Sequence, residues 1–168
     1  GSVFKPFTMA AAMEEGLVEE NSRIDCEGGS YEIGRTRIRD DHPHGTVTAT
    51  EVIKYSSNIG SAKLALKVGA TKFIQYVRDF GFGERTGIPL PGERRGRVRS
   101  AQTIRPIELA TTSYGQGVTS TQIQLAMATA ALANGGLLMA PRLVTRIEDA
   151  DGVPVWQEEP RVVRRVVS

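Results

Sequence analysis

Apolar residues fall into short runs separated by Gly, Pro and polar breaks, and over most of the chain their spacing is helical. Phe7, Met9, Ala10-Ala11-Ala12 and Met13 follow Ser2 closely, so a first helix is expected from Ser2 to Glu15, stopped at Gly16. Residues 20–47 are polar and rich in Gly, Asp and Arg. They read as an extended loop with a short hairpin around Gly28-Gly29, its arms Tyr31-Glu32-Ile33 and Thr36-Arg37-Ile38. Thr48 and Glu51 form a capping box that starts a short helix, Ala49 to Tyr55. Ser56-Ser57-Asn58 breaks it, and Ile59 to Val68 is helical again, ending at Gly69. Thr71 to Phe80 carries Phe73, Ile74, Val77 and Phe80 at helical spacing. A breaker-rich loop with Pro89, Pro91, Gly92 and Gly96 runs from Gly81 to about Ser100.

Pro106 to Ser113 predicts another short helix. Thr119-x-x-Gln122 is a capping box for a long, Ala-rich helix from Ile123 to Asn134, closed by Gly135-Gly136. The pattern then changes. Leu143 to Ile147 and Val153 to Trp156, joined by a turn at Asp151-Gly152, predict a β-hairpin, and Arg161 to Val167 resembles a further strand or connector. The expected architecture is mainly α with a terminal β-hairpin, in one domain over residues 1–168.

Composition narrows the function classes. The chain has 168 residues, 40% apolar and 24% charged, with net charge +2. That balance suits a globular domain and gives no electrostatic case for nucleic acid. Arg94, Arg95, Arg97 and Arg99 read as a solvated stretch. Cys26 is the lone cysteine, which excludes an intrachain disulfide and a two-cysteine zinc site. The segment Asp40-Asp41-His42-Pro43-His44 looks like a ligand cluster, but its proline and the lack of a third well-spaced ligand favour a polar loop. No metal or cofactor is expected. No apolar stretch reaches the length of a membrane span, and no signal peptide is visible.

The candidate chemistry lies at the start, in Ser2-Val3-Phe4-Lys5. A serine and a lysine three apart on a helix share a face, and a serine hydroxyl needs an adjacent base to become a nucleophile. Lys5 heads an apolar helix, so burial should lower its pKa and make a neutral amine available. Pro6 is tolerated in a first turn, where N–H groups lack helical partners. About fifty residues later, Tyr55-Ser56-Ser57-Asn58-Ile59-Gly60 sits at a helix-to-helix corner. Taken alone, Ser-Ser-Asn is ordinary capping chemistry.

Together the two motifs resemble the S-x-x-K and S-x-N elements of penicillin-binding proteins and class A β-lactamases. Gly1 to Thr8 is similar to the active-serine segment of class B penicillin-binding proteins, the monofunctional transpeptidases. So are Asp41 to Gly45, Phe80-Gly81-Phe82-Gly83, Leu90-Pro91-Gly92-Glu93, Ser113-Tyr114-Gly115-Gln116-Gly117 and Ala131 to Gly136, in order and spacing. The resemblance covers nearly the whole chain.

It implies a peptidoglycan-cross-linking D,D-transpeptidase working through a serine acyl-enzyme. Ser2 is then the nucleophile, Lys5 its base, Ser56 a proton shuttle and Asn58 a substrate-amide ligand, with the Ser2 backbone N–H in the oxyanion hole. Stem peptides, β-lactams and other cell-wall synthesis proteins are the implied partners. A periplasmic or exterior location is implied, with a membrane anchor outside this chain. The family's third motif, Lys-Ser/Thr-Gly, is absent from the sequence. The chain is therefore expected to be the helical part of the α/β transpeptidase-like fold, cut from a larger protein, with the central sheet largely missing. Alone it should bind penicillin weakly or not at all. The apolar face of Met9 to Met13 is expected to be exposed or covered by a second copy. A β-lactamase or β-lactam sensor of the same superfamily, and an inert helical interaction module, are the alternative readings.

Overall fold

The computed structural model describes residues 1–168. A 3-10 turn, Ser2–Phe4, runs directly into α1 (Lys5–Glu14). There follow β1 (Arg23–Asp25), a 3-10 turn (Glu27–Gly29), β2 (Ser30–Ile33), β3 (Thr36–Arg39), β4 (Thr46–Thr48), α2 (Ala49–Lys54), α3 (Asn58–Val68) and α4 (Ala70–Asp79). The second half holds α5 (Pro106–Ser113), α6 (Gln122–Ala133), β5 (Leu137–Met139), β6 (Arg146–Glu148), β7 (Pro154–Gln157) and β8 (Val162–Arg165). The strands form four separate two-stranded antiparallel sheets, β1-β4, β2-β3, β5-β8 and β6-β7.

The expected Ser2–Glu15 helix begins as a 3-10 turn for a local reason. In an α-helix the N–H of residue 6 would bond the Ser2 carbonyl, but Pro6 has none. The Lys5 N–H takes that carbonyl instead, one residue earlier, and Phe4 N–H likewise bonds Gly1 O at 3.0 Å. The helix behind this turn is central. Phe7, Thr8, Met9, Ala11 and Ala12 are buried, with α2, α3, α4 and α6 packed around it. Only Met13 opens to the surface, so the Met9–Met13 face expected to be exposed is mostly interior.

Four phenylalanines lock the first turn onto the body. Phe4 and Phe7 stack edge-on at 5.5 Å; Phe82 lies 4.9 Å from Phe4 and 5.2 Å from Phe7, and Phe80 lies 5.1 Å from Phe7. Each such pair contributes about 0.5–1.5 kcal/mol beyond area burial.

Several expectations change on contact with the rest of the molecule. The β2-β3 hairpin turns at Gly34-Arg35, while Gly28-Gly29 forms the 3-10 turn before it. The strand-like stretch Arg161–Val167 contains β8, but the pairing of β5 with β8, like that of β1 with β4, joins segments distant in sequence and had no local signal. The terminal hairpin forms with Ile147 opposite Trp156, but Leu143 and Val144 lie outside it. The α6 cap is Thr121 with Gln124, not Thr119 with Gln122. Both pairs match the capping box, and tertiary bonds choose between them. Thr119 is held in a bridge to Arg97, and the buried Gln124 side chain donates to Glu84 O (2.5 Å) and Arg95 O (2.8 Å).

Candidate active site

The head of α1 and the corner between α2 and α3 meet at one amine. A 3-10 turn eclipses residues i and i+3, which sets Lys5 Nζ 3.1 Å from Ser2 Oγ. The same Nζ donates to Ser56 Oγ at 2.8 Å and to Ser56 O. Lys5 is 2% exposed, whereas Ser2 and Ser56 are open to solvent. The structure thus brings together three of the four side chains singled out from sequence. Asn58 is adjacent but not bonded to this cluster: its side-chain amide donates to Arg39 O at 2.9 Å.

Burial holds the Lys5 amine below its ordinary pKa, and the charge of Asp40 partly opposes this. The partner count then suits base chemistry. A neutral amine has two N–H donors and one lone pair. As an ammonium Lys5 donates to all three oxygens; once neutral, two donated bonds to Ser56 leave the lone pair for the Ser2 hydroxyl proton.

The Ser-Ser-Asn corner divides its work between neighbouring residues. Ser57 is the α3 N-cap, its Oγ accepting from Gly60 N at 2.9 Å. Ser56 is turned away from capping by a left-handed backbone, φ +56, uncommon for a non-glycine residue. That turn presents both its carbonyl and its hydroxyl to Lys5. Helix capping and the bonds to Lys5 therefore fall on different serines. Close approach of the two helices requires Gly60: a Cβ there would meet Val52 Cγ2 at 2.6 Å.

Asp40 is the residue that sequence reasoning missed. It appeared only within a polar loop, yet its carboxylate accepts from Ser57 Oγ (2.6 Å), Asn58 N (2.6 Å) and Ile59 N (3.0 Å). Nothing along the chain signals a pairing across seventeen residues. The rest of that loop disperses: the His44 ring stacks on Tyr55 at 4.3 Å, and His42 faces Asp41 at the surface. Buried Cys26 lies 3.3 Å from Ser57 Oγ, its thiol pKa raised by burial.

The turn Gly115-Gln116-Gly117 packs against the turn that carries Ser2. Gly115 has φ +80, and a Cβ on it would stand 2.3 Å from Gly1 O and 2.9 Å from Phe4 Cβ. Thr8 Oγ1, one turn beyond Lys5, donates to Ser113 O at 2.7 Å and ties α1 to the end of α5.

A serine hydroxyl bonded to a buried amine at the head of a helix, with a second serine on the same amine, is an arrangement suited to serine acyl transfer. The penicillin binding protein transpeptidase domain matches residues 1–168. The chain is 37% identical over 171 residues to stage V sporulation protein D of Bacillus subtilis, and 35% identical over 168 residues to the probable peptidoglycan D,D-transpeptidase PenA of Neisseria gonorrhoeae. These matches take in 100% and 99% of the chain but 26% and 29% of the relatives. Among solved structures, the transpeptidase domain of Burkholderia pseudomallei penicillin-binding protein 3 superposes with TM-score 0.89 at 33% identity, over all of this chain and 48% of that one. Penicillin-binding protein 3 of Mycobacterium tuberculosis, complexed with aztreonam, superposes with TM-score 0.86 at 32% identity, over all of this chain and 38% of that one. The chain belongs to the penicillin-binding protein transpeptidase family.

Proposed function

We propose that this chain carries the nucleophile half of a peptidoglycan D,D-transpeptidase that is acylated on Ser2 by stem peptides and by β-lactams. One observation carries the reading: a lysine amine stripped of water, bonded to Ser2 Oγ and Ser56 Oγ together. In this mechanism the Ser2 hydroxyl gives its proton to Lys5 Nζ as Ser2 Oγ bonds the carbonyl carbon of a D-Ala-D-Ala terminus. The carbonyl oxygen becomes an oxyanion facing the Ser2 backbone N–H, which lies in the open first turn. As the C–N bond breaks, the proton on Lys5 passes by way of Ser56 Oγ to the departing D-Ala amine. An amine from a second stem peptide then attacks the Ser2 ester carbonyl; the ester C–O bond breaks as the cross-link amide forms, and the amine's proton returns through Lys5 to Ser2 Oγ. Asn58, held by Arg39 O, orients the substrate amide.

In the same proposal residues 1–168 are the helical part of the domain. The central sheet and the third motif, Lys-Ser/Thr-Gly, come from outside them, which fits a match to 48% of a solved transpeptidase domain. A second oxyanion donor on that sheet explains why these residues alone should acylate poorly. Losing one such donor costs about a hundred- to a thousand-fold. A membrane anchor outside the chain would place the site in the periplasm or at the cell exterior. No helix here is long and apolar enough to cross a membrane.

The test is mass spectrometry of the full-length protein after penicillin treatment. The expected adduct is a single acyl group on Ser2, absent from Ser2→Ala. An adduct on another residue, or undiminished labelling of Ser2→Ala, overturns the reading.

A further inference from the structure

We propose that Asp40 is a positioning residue for acylation: by gathering the first turn of α3 it holds Ser56 in the left-handed conformation that presents two acceptors to Lys5. The inference rests on the reading of Ser2 as nucleophile and Lys5 as its base.

The geometry supports it step by step. Asp40 follows β3 directly, and β3 is anchored by its four-residue register with β2 and by buried Ile38. The carboxylate is therefore delivered from a fixed strand end. One oxygen, Oδ1, accepts from the Asn58 and Ile59 N–H groups; the other, Oδ2, accepts from Ser57 Oγ. Two of these are charge-assisted bonds to N–H groups at a helix N-terminus, where a carboxylate is most favoured. Together they fix the three residues that follow Ser56. The Ser56 N–H is itself bound to Ile53 O at 3.1 Å, and the Ser57 N–H to Val52 O at 2.9 Å. With the residues on both sides tied, the positive φ at Ser56 is over-determined, as a strained position must be to persist.

The carboxylate also acts on the amine by charge. It favours the ammonium form of Lys5, against the burial that disfavours it. The other titratable group beside Ser57 is Cys26, which burial keeps a neutral thiol. Asp40 is thus the anion that tempers the base.

A conservative change separates these roles. In Asp40→Asn the remaining oxygen still accepts from α3, and the new amide donates to Ser57 Oγ while the Ser57 hydroxyl turns to Cys26 Sγ, already 3.3 Å away. The hydrogen bonds survive and only the charge is lost. Asp40→Ala loses both.

The experiment measures the second-order rate of penicillin acylation against pH for the full-length wild type, Asp40→Ala and Asp40→Asn, with a thermal melt of each. Asp40→Ala should acylate about a hundredfold more slowly, the scale of a small misplacement of a catalytic group. Asp40→Asn should recover most of that rate, and its rate should rise at lower pH than in wild type, because Lys5 loses a proton more readily without the carboxylate. A merely structural role would move the melts and leave the pH profile in place. A folded Asp40→Ala with wild-type rate, or an Asp40→Asn profile superimposed on wild type, overturns the proposal; if Asp40→Ala does not fold, the Asp40→Asn profile decides alone. Wild type that is not acylated on Ser2 overturns the underlying reading instead.

Discussion

Lys5→Met separates catalysis from stability more cleanly than any other change at this site. The side chain is 2% exposed, and methionine fills nearly the same unbranched volume. What is lost is three polar contacts, to Ser2 Oγ, Ser56 Oγ and Ser56 O. All belong to residues open to solvent, so water replaces the amine on each of them. What is gained is relief from burying a polar amine, the same desolvation that lowers the pKa of Lys5. These terms oppose one another, and the stability change should lie within about 1 kcal/mol of zero. The rate change has no such offset. Removing a general base costs about a hundred- to ten-thousand-fold.

The pH dependence adds a sign. The folded-state pKa of Lys5 lies below its ordinary value of 10.5, so between those two points the unfolded chain binds the extra proton. The contribution of Lys5 to stability is complete above 10.5 and is lost as pH falls through the folded value. Wild type should gain stability as pH rises from the folded value to 10.5, and Lys5→Met should lack this gain. The assays are penicillin acylation kinetics and denaturant unfolding at several pH values on the full-length protein. Acylation of Lys5→Met at the wild-type rate would refute the assignment of the base. Destabilisation beyond about 3 kcal/mol at neutral pH, the scale of breaking a buried charge network, would show that Lys5 serves the fold.

Two further outcomes follow from the packing and the caps. Gly60→Ala drives a Cβ to within 2.6 Å of Val52 Cγ2, so it should destabilise by about 1–3 kcal/mol in denaturant unfolding, and Val52→Ala in the same chain should return much of that loss. The Glu108 carboxyl, which caps α5, is held at about 2 first by the Arg105 guanidinium and then by the Arg105 N–H. Its stabilising effect is present above its ordinary value of 4.5 and lost as pH falls through about 2, so its titration by NMR should show a midpoint near there and Glu108→Gln should flatten that part of the acid unfolding curve.

Much of the helical scaffold was legible one turn at a time. Thr48 and Glu51 make both halves of their capping box, and Phe73, Ile74, Val77 and Phe80 all turn inward. The pairing of Ser2 with Lys5 was legible for the same reason, since residues three apart meet in any helical turn. The approach of Ser56 to that pair was legible only through family resemblance, because no local rule spans fifty residues.

What the sequence by itself determined are features settled within about four residues: helix faces, glycine stops, the Thr48–Glu51 cap and the local geometry of Ser2-Val3-Phe4-Lys5. The tertiary structure decided between options that are locally equal. It chose Thr121 over Thr119 as the α6 cap, because Thr119 is held by Arg97 and Gln124 is buried against the loop carbonyls. It gave capping to Ser57 and left Ser56 to Lys5, because Asp40 arrives from β3 to hold the first turn of α3. It paired β1 with β4 and β5 with β8, and although Arg161–Val167 read as strand-like, nothing local named the partner of either pair. The physical reason is the same in each case. Hydrogen bonds and side-chain faces within a turn depend on neighbours along the chain, whereas a buried polar group takes whichever distant partner the packed core brings within reach.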